Sequence, residues 1–164
     1  MRVLVAYASK YGATAEIAEA IGGVLRDRGH DVTVAAMTDK ARAEDADAVV
    51  AGSAVYVGRW LERAVEWIED EAPALATKPV WLFSSGPIGE PPMPRAEQAV
   101  DVREVVEKTK ARGHRLFTGR IDRAKLNFAE KAMLFALRAP TGDFRDWGAV
   151  RAWAEEIASA LDQV

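Results

Sequence analysis

Two aliphatic hydroxyls, a cation and a glycine fall within six residues in Ser9-Lys10-Tyr11-Gly12-Ala13-Thr14. A short apolar run precedes them and a run of helical period follows. The first N–H groups of a helix have no intrahelical acceptor, and the helix dipole adds partial positive charge there. A turn of this kind can take an anion, phosphate above all. Gly12 would let the backbone approach it closely. Ser9 and Thr14 would add hydroxyl donors, and Lys10 charge. Neither a Walker A loop nor a GxGxxG fingerprint occurs in the chain. The plainer alternative is a strand-to-helix turn capped by Thr14.

Two further stretches have the composition of a ligand wall. Gly52-Ser53-Ala54-Val55-Tyr56-Val57-Gly58-Arg59-Trp60 sets two aromatics around a glycine free to take φ > 0. Tyr56 is expected against a flat ring, whereas Trp60 is expected to pack at a helix start. Ser84-Ser85-Gly86-Pro87-Ile88-Gly89 is small and glycine-rich, which permits close backbone approach to a ligand, although any loop can be rich in Gly and Pro.

These stretches must be positioned by regular elements. Short apolar runs over Arg2–Ala8, Asp31–Met37, Ala46–Gly52, Val80–Ser84 and Arg115–Thr118 read as strands buried on both faces. Helical period lies between them. Ile17, Ile21, Val24 and Leu25 share a face within Thr14–Arg28, and Gly29 ends that helix. Gly22-Gly23 inside it points to close packing on the sheet. Leu61, Ala64, Val65 and Ile68 define a helix over Arg59–Asp70. Asp101-Val102-Arg103-Glu104 reads as a capping box for a helix to Ala111. Asp146 caps a last helix whose inner face is Val150, Trp153, Ala154, Ile157 and Leu161. The alternation predicts one domain over residues 1–164: an α/β, three-layer, doubly wound five-stranded parallel sheet of order 2-1-3-4-5. Ligands of such sheets bind beyond the carboxyl ends of the strands at the switch in strand order, where the three stretches fall.

Two segments break the alternation. Gly86–Pro94 holds four of the seven prolines. Arg120–Phe144, between strand five and the last helix, contains an apolar stretch over Lys125–Arg138 that reads as an extra helix. The plain reading is packing at the sheet edge. The functional reading is a platform for a substrate or a peripheral membrane contact, with Arg120, Arg123, Lys125, Lys131 and Arg138 drawing anions.

The chain has 164 residues, no cysteine and two histidines, and its net charge is −3. Disulfides, thiolate metal sites and thiol nucleophiles are excluded, and no metal site is expected. The balance argues against a nucleic-acid binder. The apolar start ends at Ser9-Lys10, too short for a leader or a span, so the expected location is the cytoplasm, with peripheral membrane contact through 120–144 left open. Nine acids against four bases over 39–71, and nine bases against four acids over 102–131, predict an acidic side and a basic side.

The first stretch resembles the FMN phosphate loop of flavodoxins: a hydroxyl residue, two variable residues, glycine, any residue, threonine. Gly119, the insert, and Gly142-Asp143-Phe144-Arg145-Asp146-Trp147 before the last helix resemble the menaquinone-dependent protoporphyrinogen oxidase branch of the flavodoxin-like proteins. The resemblance implies bound FMN, with Ser9, Tyr11, Gly12, Ala13 and Thr14 at the phosphate. Lys10 stands where threonine is common and supplies a cation in place of a hydroxyl. Ser53, Ala54, Val55, Tyr56, Val57 and Gly58 would flank one side of the flavin ring, and Ser84, Ser85, Gly86, Pro87, Ile88 and Gly89 the other. A backbone carbonyl near Gly58 would meet N5–H of the reduced ring. No catalytic side chain is expected, because the flavin carries the chemistry. The implied function is an FMN-dependent oxidoreductase acting on a tetrapyrrole or a quinone. The alternative is a flavodoxin-type electron-transfer protein that docks a redox partner. A signalling receiver is disfavoured, since Ser9-Lys10 and Gly52-Ser53 stand where it needs acids. A flavin-free interaction domain remains a further reading, and a homodimer is permitted.

Overall fold

The computed structural model describes residues 1–10, 12–38, 40–56, 58–86, 101–117, 120–121, 142–143 and 146–164, the pairs 120–121 and 142–143 as backbone only. Strands β1 (Arg2–Ala8), β2 (Asp31–Ala36), β3 (Ala48–Tyr56), β5 (Val80–Ser85) and β6 (Gly113–Phe117) form a parallel sheet in the order β2-β1-β3-β5-β6. This is the doubly wound order expected from the alternation. A two-residue strand β4 (Arg59–Trp60) pairs antiparallel with the end of β3. Two more, β7 (Arg120–Ile121) and β8 (Gly142–Asp143), pair with each other across the insert. The helices are α1 (Ala13–Asp27), α2 (Glu62–Leu75), α3 (Arg103–Thr109) and α4 (Trp147–Leu161).

The apolar runs form strands because both faces are covered. Val3, Val5 and Val50 pack with Ile17, Ile21 and Leu25 of α1 and with Trp153 and Ile157 of α4. Their neighbours Leu4, Ala6, Val49 and Ala51 face the other way, against Ala64 and Ile68 of α2. Each fully buried Ile or Leu contributes about 1.5–3 kcal/mol over leaving it in water.

Helix α1 closes with a two-bond C-terminal motif. Gly29, at φ 91°, donates its N–H to the Arg26 carbonyl, and His30 donates to Leu25. The glycine satisfies carbonyls that a β-carbon residue would leave open. Gly22 lies against β2: a Cβ there would fall 2.5 Å from Val34 Cγ2, whereas one at Gly23 would meet nothing within 4 Å. Only the first of the two glycines reflects tight packing. Helix α4 begins as expected, with the Asp146 carboxylate accepting the Ala149 N–H at 3.0 Å. Asp146→Ala should cost about 1 kcal/mol, read as a lower urea midpoint, and Asp146→Asn should restore most of it.

Several boundaries differ from the sequence reading. Strand β3 runs to Tyr56, so Ser53, Ala54, Val55 and Tyr56 are strand residues and not loop. Helix α2 begins at Glu62 and not at Arg59, because Arg59 and Trp60 fold back onto Tyr56 and Val55. It continues past Pro73 to Leu75. Helix α3 stops at Thr109, where Lys110 takes a left-handed φ of 53°, and its N-cap is Val102. Asp101 instead accepts the Arg103 N–H at 3.3 Å.

The acidic and basic stretches touch where α2 packs on α3: Lys108 pairs with Glu69 across the helices and with Glu104 on its own helix, at 2.9 Å each. The extra helix expected over Lys125–Arg138 lies outside the described residues, as do Pro87–Pro94. Among the described residues no helix is long and apolar enough to cross a membrane.

Candidate functional site

Strand register brings the three stretches together. Ala8 of β1 pairs with Ser53 of β3, and Ser53 pairs with Ser84 of β5. One row across three strands therefore carries Ala8, just before the first stretch, and Ser53 and Ser84 at the heads of the other two, at the carboxyl edge of the sheet.

At the β1 end, Ser9 Oγ accepts the Gly12 N–H at 2.9 Å and folds the turn onto itself. Gly12 is the N-cap of α1 at φ 92°, a backbone region that disfavours side chains. Its carbonyl accepts the Glu16 N–H at 3.1 Å. No side chain caps this helix, so its first-turn N–H groups face the turn. A Cβ on Gly12 would meet nothing within 4 Å, which leaves open space at the helix head. Ala13 and Thr14 are the first two helical residues, and Thr14 is 1% exposed. Thr14 is thus not the cap; Gly12 is. Tyr11 lies outside the described residues. The Arg63 guanidinium, from the first turn of α2, donates to the Ser9 carbonyl.

At the β3 end, Tyr56 is 39% exposed, and the Lys10 ammonium sits 4.6 Å from its ring centroid. The Lys10 cation therefore lies against the second stretch as well as the first. Gly58, at φ 73°, turns the chain into β4, with Val57 outside the described residues. Its carbonyl accepts the Asp101 N–H at 2.9 Å. The carbonyl expected to face a flavin nitrogen thus already has one partner, and only its second lone pair is open to another donor. Ser53 is fully buried and accepts the Leu61 N–H at 3.1 Å, which ties the head of α2 to β3.

At the β5 end, Ser84 and Ser85 are buried, and Gly86 turns at φ 101° while donating to the Phe117 carbonyl at 2.8 Å. Pro87, Ile88 and Gly89 lie outside the described residues. Trp60 packs inward, as expected, and its Nε1–H donates to Ser84 Oγ at 2.7 Å. Ser84 Oγ is also 2.7 Å from His114 Nε2. With the indole fixed as donor, the serine hydroxyl is free to donate to a neutral His114. Burial pushes the His114 pKa below the ordinary imidazole value.

The sign of that shift sets a pH dependence. Above the unfolded value near 6.5, His114 is neutral in both states and adds no slope. Between 6.5 and the lower folded value, the unfolded chain binds more protons, so acid favours unfolding. The urea midpoint should fall as pH drops through that window, and His114→Gln should flatten the fall.

Sequence reading did not find Arg63, His114 or the backbone bond from Asp101. Arg63 belongs to no motif, and its partner is a main-chain oxygen 54 residues away. His114 was visible only as one of two histidines. Among the described residues no group of three or more His, Asp or Glu could hold a metal ion.

An open, uncapped helix head, small residues in one row across three strands and an exposed aromatic on the same edge belong to a doubly wound protein whose sheet edge suits a phosphorylated, flat-ring ligand. A family model described as flavodoxin domain matches residues 4–147, and the chain belongs to that family. No curated protein sequence matches it. A solved flavodoxin from the domain Archaea is similar at 20% identity and TM-score 0.62, with 99% of each chain covered. A flavodoxin from Streptococcus pneumonia TIGR4 is similar at 20% identity and TM-score 0.61, over 98% of this chain and 99% of that one. The rubredoxin oxygen:oxidoreductase from Desulfovibrio gigas is similar at 16% identity and TM-score 0.61. Nearly all of this chain (99%) aligns with 36% of that longer one. At these identities the structural likenesses show the fold.

Family membership brings FMN with it, and the chain is an FMN-binding redox protein. The residues fit that group. The N–H groups at the head of α1, in the open space beside Gly12, suit a phosphate. Exposed Tyr56 suits a ring face.

Proposed function

We propose that this chain is an FMN-dependent oxidoreductase whose substrate is a carboxylate-bearing tetrapyrrole or a quinone, the protoporphyrinogen-oxidase-like reading. FMN supplies the redox step when bound. Ser9, Gly12, Ala13 and Thr14 hold its phosphate through loop and helix N–H groups and hydroxyls. Tyr56 and the Ser84–Gly86 turn stand beside its ring, and the buried Ala8–Ser53–Ser84 row keeps those walls in register.

The observation that carries this reading is the charge at the same edge. Lys10, Arg59 and Arg63 are exposed on the segments that surround the site, beside an Arg103 whose charge is balanced by Asp101. Their combined field favours an anionic small molecule approaching the ring. The Gly142–Trp147 pattern of the sequence supports the same branch. A second reading, an electron-transfer protein that docks a redox partner, has its own support in the flavodoxins of like fold and full-length coverage.

One experiment separates them. The purified protein, loaded with FMN, is given protoporphyrinogen or a reduced quinone with an acceptor, and porphyrin fluorescence or quinone absorbance is followed. Turnover that falls when Arg59 is changed to Gln supports the oxidoreductase. Absence of turnover, together with electron exchange with a reductase, supports the carrier.

A further inference from the structure

Arg63 differs from most arginines described here. Arg2, Arg26, Arg28, Arg42, Arg103 and Arg115 are each ion-paired with a carboxylate. Arg63 is exposed, has no such pair among the described residues, and reaches across from α2 to the Ser9 carbonyl. Ser9 is the residue whose Oγ also holds the Gly12 N–H. The guanidinium is therefore seated at the entry of the turn that heads α1. That contact needs one N–H, and a guanidinium presents five in a fixed fork.

Lys10, within the turn, holds its ammonium over the Tyr56 ring. The turn itself offers neutral donors, backbone N–H groups and hydroxyls. Such donors bind a phosphate but do not balance a charge of about −2.

We propose that Arg63 is the charge partner of the FMN phosphate and the residue that makes this site prefer FMN to riboflavin, its dephosphorylated form. The inference rests on the FMN reading of the site. Its spare N–H groups face the anion while one holds Ser9, so the same side chain orders the turn and neutralises the ligand. Charge-assisted bonds of this kind are shorter and stronger than neutral ones.

The test is a set of dissociation constants for FMN and riboflavin, read from quenching of flavin fluorescence. Wild type, Arg63→Gln and Arg63→Lys are compared across a series of KCl concentrations, with thermal midpoints as a fold check. Arg63→Gln keeps an N–H donor and removes the charge. It should weaken FMN binding about tenfold, the equivalent of 1.4 kcal/mol, and riboflavin binding less than about twofold on the same scale. Arg63→Lys should recover most of the loss. Wild-type FMN affinity should fall as salt screens the pair, and Arg63→Gln should flatten that fall.

Equal losses for both ligands, or an FMN loss with the salt slope unchanged, would reduce Arg63 to a prop for Ser9 and overturn the proposal. So would unchanged FMN binding in Arg63→Gln, with the cofactor reading left intact. A wild-type protein that binds neither flavin would overturn both. Should Arg63→Gln fail to fold, the salt dependence of wild type and Arg63→Lys decides: no slope for FMN in either rejects the charge pairing.

Discussion

Gly52→Ala should destabilise the protein by about 3 kcal/mol, more than its single methyl group suggests. Gly52 pairs across the sheet with Phe83, and a Cβ on it would lie 2.2–2.4 Å from three atoms of the Phe83 ring. The ring cannot swing away at low cost. Phe83 is fully buried, with Phe117 and Trp153 centred 6.3 and 6.2 Å from it and 5.5 Å from each other. Protein interiors of this density transmit strain and do not absorb it. The measurement is the urea midpoint of wild type and variant. A second variant, Gly52→Ala with Phe83→Leu, should be less unstable than the sum of its parts, because the smaller side chain removes the collision. Additive losses would show that the ring is not the obstacle.

The other large effect should appear in cofactor affinity. Gly12→Val is expected to weaken FMN binding roughly 30-fold, equivalent to about 2 kcal/mol, while the fold persists. The reason is conformational and not steric contact. Open space surrounds the Cβ position, but a φ of 92° is a strained region for a β-branched residue. The turn would relax to a negative φ and withdraw its N–H groups from the anion. Thr14→Ala should weaken FMN by about 1.5–3 kcal/mol if its hydroxyl bonds the phosphate. Fluorescence titration checks both. Unchanged affinity in the pair would remove this turn from the site.

The sheet was legible in the sequence because double-sided burial writes itself as unbroken apolar runs, as in Arg2–Ala8 and Val80–Ser85. Helix α1 was legible from its period and from Gly29. The two-residue strand β4 was not, since two residues carry no period. Its formation moved the start of α2 from Arg59 to Glu62 and turned Trp60 toward Ser84. The turn at the head of α1 could be read from Ser9 and Gly12, because the Ser9 Oγ bond to the Gly12 N–H and the positive φ of Gly12 are local features. Arg63 and His114 could not, because each acts on a partner far along the chain that only the fold brings near. The same is true of the Asp101 bond to Gly58, which involves no side chain at all.

Gly22 gives the site a dependence on a residue that never touches it. The ten residues from Gly12 to Gly22 span about 15 Å of helix. At the far end of that span, α1 rests on Val34 and Val32 through the missing side chain of Gly22. The helix is a lever with its fulcrum there. A methyl group at position 22 would press on Val34, lift the shaft from the sheet and swing the head, carrying the anion cradle out of line with the Ala8–Ser53–Ser84 row without altering any residue of the cradle.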